Sequence, residues 1–91
     1  MNQQATPQKV KLSAVTASMI PTGPKALAVE HDGMIFNVMR VDPKQLNSWR
    51  GTYVVMEADM TDYYTDSVAG IREWVRLCCE VSREVSQKLS A

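Results

Sequence analysis

The sequence predicts an α+β domain: a three-stranded antiparallel sheet with a long C-terminal helix packed on it and a short helix at the N-terminal side, in the order (α)βββα. Three observations predict it. An Asp32-Gly33 pair separates two apolar runs, the strongest short-range hairpin signal. A third run, Thr52 to Ala58, is rich in β-branched and aromatic residues. From Val68 to Leu89 apolar residues recur every three or four positions, the period of a one-sided helix. At 91 residues the chain has the length of one domain, burying roughly 60–65% of its unfolded surface.

Residues 1–6 are polar and read as a flexible tail, leaving 7–91 for the domain. The next stretch carries two patterns. Thr6 followed by Pro7 is a helix start signal, after which Leu12, Val15 and Met19 share a helical face. Val10, Leu12 and Ala14 alternate as in a strand. The start signal favours the helix, and Pro21 to Pro24 ends either element.

Ala26 to Val29 forms the first strand, and Met34 to Val41 the second, with Met34, Phe36 and Val38 on one face. Asp42-Pro43 breaks it, and a turn at Arg50-Gly51 leads into the third strand. Asp59 to Thr65 reads as a polar connector holding Tyr63 and Tyr64. Thr65 or Asp66 is expected to cap the final helix, residues 66–89. Ile71, Trp74, Val75 and Cys78 are placed in the core, Cys79 one position round toward solvent, and Leu77 on the charged side.

Composition narrows function. The chain is 45% hydrophobic, 22% charged and has zero net charge, so it has neither the basic excess of a nucleic-acid binder nor the acidity of a whole-surface DNA mimic. The N-terminus lacks the basic-then-apolar order of a secretory signal, no apolar run is long enough to span a membrane, and the two cysteines are adjacent. These features predict a reducing, cytoplasmic setting.

Catalytic chemistry lacks parts. His31, the single histidine, falls beside the predicted hairpin tip with no nucleophile nearby, and reads as a solvated turn residue. Cys78 and Cys79 are two ligands where zinc needs four. A reactive Cys79 would need a thiol pKa lowered by Arg76 or Arg83. No enzyme activity, metal or cofactor is expected. Glu57, Asp59, Asp62 and Asp66 form a local acidic bias, readable as helix-dipole stabilisation or as an anionic docking patch. Trp49, Tyr63 and Tyr64 lie in connectors, as interface anchors or as core plugs. Together with the four acids they make the candidate partner-binding set, for a protein partner with a basic groove. Self-association is a further option, since exposed Leu77 and six methionines suit adaptable contacts. The alternative is nucleic-acid binding by the sheet face with Lys9, Lys11, Arg40 and Arg50.

Gly51-Thr52, Met56-Glu57-Ala58-Asp59, and Asp66-Ser67 opening a helix with Gly70 and Trp74 resemble the small DNA-mimicking type I-F anti-CRISPR proteins over residues 51–74. That resemblance implies an inhibitor from a phage or other mobile element that docks on a nucleic-acid-handling complex. The pattern departs from the family in its final helix, where Arg72, Arg76, Arg83 and Lys88 answer the acids. Any phosphate mimicry would therefore be confined to Glu57 through Asp66. The βββα order is shared with HicB-type antitoxins and integrase arm-binding domains, and with the leading helix it matches double-stranded-RNA-binding domains. The motifs of all three are absent.

Overall fold

The computed structural model describes residues 9–46, 48–57 and 61–90. One mixed sheet of five strands carries one long helix on one face. The strands are β1 (Lys9–Lys11), β2 (Leu27–His31), β3 (Met34–Arg40), β4 (Tyr53–Met56) and β5 (Tyr63–Thr65), and their order across the sheet equals their order in the chain. Helix α1 runs Val68–Ser90.

The three central strands are the three expected, paired antiparallel. His31 opposes Met34 across the hairpin, and Asp32 and Gly33 both hold positive φ, at 50° and 79°. That is the mirror-image turn whose twist matches the strands it joins, and only Gly, Asn or Asp adopts it readily.

Two edge strands enlarge the sheet beyond the expected three. On one side the helix expected from Thr6 to Met19 is absent over the described residues 9–19. Thr6 and Pro7, like the tail at 1–6, lie outside the described residues. Lys9–Lys11 pairs parallel with β2, and two single 3-10 turns follow, Leu12–Ala14 and Ala17–Met19. Leu12, Val15 and Ile20 are buried. A helix would have turned Val10 away from Val29, whereas the extended chain seats it opposite. Long-range bonds fix the choice: Arg72 donates to the Val15 carbonyl at 2.7 Å, and Arg40 to the Ala17 carbonyl at 3.0 Å. A parallel pair needs a crossover of about a dozen residues, which Leu12 through Ala26 supplies. On the other side, the expected connector holds a short strand, Tyr63–Thr65, paired with Tyr53–Val55.

The core lies between sheet and helix. Val29, Phe36, Val38, Tyr53 and Val55 meet Ile71, Val75, Cys78 and Cys79, with Leu12, Val15 and Ile20 closing one end. Two helix placements differ from expectation. Trp74 is half-buried rather than fully core, its ring stacked on Tyr63 with centroids 4.4 Å apart. Cys79 is buried, its thiol donating to the His31 carbonyl at 3.4 Å. His31 is accordingly the last residue of β2 and half-buried rather than a solvated turn residue. The helix cap is Ser67, whose Oγ accepts the Gly70 N–H at 3.0 Å, rather than Thr65 or Asp66.

Candidate interaction surfaces

Strand geometry decides which candidate residues can act together. Successive side chains on a strand point to opposite faces. Tyr63 sits opposite Val55 and turns inward onto Trp74. Tyr64 sits opposite Val54 and turns outward. The two tyrosines, adjacent in sequence, therefore belong to different surfaces.

Tyr64 instead joins Trp49. A 3-10 turn, Ser48–Arg50, precedes β4 and projects Trp49, whose surface is 77% exposed. The Arg50 guanidinium lies 5.5 Å from the Trp49 ring and 5.4 Å from the Tyr64 ring. Each contact contributes about 0.5–1 kcal/mol at an exposed site. The ladder Trp49–Arg50–Tyr64 thus holds two aromatic planes in order without any partner. Gly51 follows at φ 158°, and a Cβ there would lie 3.0–3.3 Å from the Thr65 backbone, so glycine lets the turn close against β5. Sequence patterning picks out Trp49, Arg50 and Tyr64 but under two different readings, because nothing in a linear pattern brings β5 beside the turn before β4.

The acidic set separates. Asp66 Oδ1 accepts both the Thr52 N–H, at 2.8 Å, and the Thr52 hydroxyl, at 3.0 Å, tying the helix start to β4. Asp62 is exposed next to β5 and Glu57 is half-buried after β4. Asp59 lies outside the described residues. An acid not among the candidates, Asp32, pairs with Arg83, joining the hairpin tip to the helix.

The basic set separates as well. Arg40 is engaged with the Ala17 carbonyl and lies 5.0 Å from the Tyr53 ring, so it braces the fold. Lys9 and Lys11 are exposed on β1, on the sheet face opposite the helix, at the edge remote from Tyr64.

The thiols are poorly placed for chemistry. Burial pushes the Cys78 thiol above its ordinary pKa, and Glu57 adds to this. Burial does the same for Cys79, with Asp32 and Cys78 reinforcing it and Arg83 opposing. Thiolate is thus disfavoured at both positions, the reverse of what a nucleophile needs. Among the described residues no three His, Cys, Asp or Glu side chains cluster as metal ligands, and no helix is long and apolar enough to cross a membrane.

Comparison of the chain with protein families, with curated proteins and with solved structures found no match.

Proposed function

We propose that this chain is a non-enzymatic protein-interaction module whose partner seats on the Trp49–Arg50–Tyr64 corner. One observation carries the reading: a tryptophan 77% open to solvent is held in position by an arginine that is itself stacked on a tyrosine. Trp, Arg and Tyr are the residues in which binding energy concentrates at interfaces. Side chains ordered before binding lose less entropy when the partner arrives. Two thiols held protonated by burial support leaving covalent chemistry out of the proposal.

Within this reading, an inhibitor that docks on the basic groove of a nucleic-acid-handling complex would use Trp49 and Tyr64 as anchors and Asp62 as a steering charge. Asp66, already committed to Thr52, would contribute least. A second reading has an observation of its own. Base stacking on exposed aromatics suits single-stranded nucleic acid, and Lys9 and Lys11 stand on the outer face that Tyr64 shares.

The experiment is an affinity capture from the source cells with wild-type protein and with Trp49→Ala, each checked for an unchanged melting temperature. The module reading expects a protein retained by the wild type and lost with Trp49→Ala. Retention of nucleic acid alone, falling steeply as salt rises, would put the second reading in its place. Equal capture by both proteins would remove the corner from the interface.

A further inference from the structure

Helix α1 outruns the layer it covers. Its early turns bury Ile71, Val75, Cys78 and Cys79. From Glu80 to Leu89 every residue is exposed. At 1.5 Å per residue this is about 15 Å of helix beyond the core. Along it, Leu77, Val81, Val85 and Leu89 stand four residues apart, with 51%, 48%, 50% and 82% of their surfaces open. Each step of four residues turns about 40° further round the helix, so these four form a continuous apolar ladder inclined to the axis, from the charged side at Leu77 to the core stripe at Leu89. It is independent of the Trp49 corner, which belongs to the turn before β4.

The charges beside the ladder are one-sided. Glu80, Glu84 and Lys88, again four apart, run along one flank. Ser82 and Ser86 run along the other, toward the hairpin. This asymmetry selects both an occupant and an orientation. In a two-fold pairing of antiparallel helices each flank meets its own kind with the chain direction reversed. With the two inclined rows laid side by side and the helices crossing antiparallel at about 50°, Val81 comes beside Val85 of a second copy and Glu80 beside its Lys88, and the symmetric pair forms as well. Glu84 falls near the axis, where its own Lys88, one turn on, offsets the like charge. A parallel pairing would set the charged flank against serines and leave no ion pair.

We propose that the ladder is a self-association seam, through which two copies of this chain pair antiparallel along the projecting half of α1. The sheets then sit at opposite ends of the paired helices, and the Trp49 corners remain free.

Sedimentation equilibrium of the full chain across the micromolar range tests this. The wild type is expected to be a concentration-dependent dimer. Val81→Glu with Val85→Glu, at positions already exposed, should raise the dimer Kd at least about 100-fold with an unchanged circular dichroism spectrum. Glu80→Lys alone and Lys88→Glu alone should each weaken pairing about 5–10-fold, as like charges meet. The two single variants mixed should form a heterodimer in preference to either homodimer, because both pairs between positions 80 and 88 are then opposite in sign. Trp49→Ala should leave the dimer intact, so failure of the seam and failure of the corner read out separately. A wild type that stays monomeric throughout, a Val81→Glu/Val85→Glu variant that still dimerises, or mixed single variants that show no preference would each overturn the proposal.

Discussion

The stacked pair Tyr63–Trp74 is the joint between the last strand and the helix, and its strength follows from its geometry. The rings are 4.4 Å apart at their centroids and within 4° of parallel. Truncating a fully buried aromatic costs about 3–5 kcal/mol. Trp74 is half-buried, so its area contributes about half of that, near 2 kcal/mol. A stacked aromatic pair adds about 0.5–1.5 kcal/mol beyond area. Trp74→Ala should therefore cost about 3 kcal/mol, and Tyr63→Ala about 2 kcal/mol for a ring of similar exposure. The part that belongs to the pair is isolated by a double-mutant cycle in urea, with all four proteins at one temperature and pH. The coupling energy should be about 1 kcal/mol, because once one ring is gone the other has no stack to lose. A coupling below about 0.3 kcal/mol would be additivity within error. It would mean that β5 is held by its ladder with β4 alone.

Two further predictions concern the helix start and the thiols. Gly70→Ala ordinarily gains up to about 1 kcal/mol in a helix, but here the new Cβ would run into Thr65 Oγ1 and lie 3.0 Å from Thr65 Cβ and 3.2 Å from Ser67 Oγ, so it should destabilise. Thermal melts should show Gly70→Ala below the wild type and Gly70→Ala recovering most of the loss when combined with Thr65→Ala; an unconditional gain would refute the packing there. For the thiols, burial raises the folded-state pKa of both Cys78 and Cys79 above that of the unfolded chain. Below about pH 8.5 both states keep their protons and stability is level; above it the unfolded chain releases protons that the folded chain retains, so stability falls as pH rises, by up to about 1.4 kcal/mol per pH unit per thiol. Urea titrations between neutral and mildly alkaline pH should show this decline in the wild type and flatten it in Cys78→Ala/Cys79→Ala. An equal decline in both would assign it to other groups.

The features legible in the chain alone are local. The Asp32-Gly33 turn needs two residues tolerant of positive φ, and that requirement is written in two adjacent letters. The central strands follow from β-rich runs between turn signals. The helix follows from a three-and-four period over 23 residues, and the core positions Ile71, Val75 and Cys78 follow from the same period. Leu77 is legible as exposed from the charged side of the helix on which it falls, whereas the connector position of Trp49 leaves anchor and core plug equally open until its 77% exposure is seen.

The remaining features are set only in the folded molecule, because the deciding energies come from contacts far apart in the chain. Leu12 and Val15 fit a helix and two 3-10 turns equally well; Arg72, 57 positions away, and the free edge of β2 settle the matter. Tyr63–Thr65 is too short to announce a strand, and becomes one because β4 offers it an open edge. That pairing sends Tyr63 to the core and Tyr64 to the Trp49–Arg50 ladder, so a single row of letters is divided between two surfaces. The apolar period likewise marks Val85 and Leu89 as core positions, yet both are exposed. Periodicity specifies which face of a helix is apolar; only the extent of the sheet beneath it specifies how much of that face is covered.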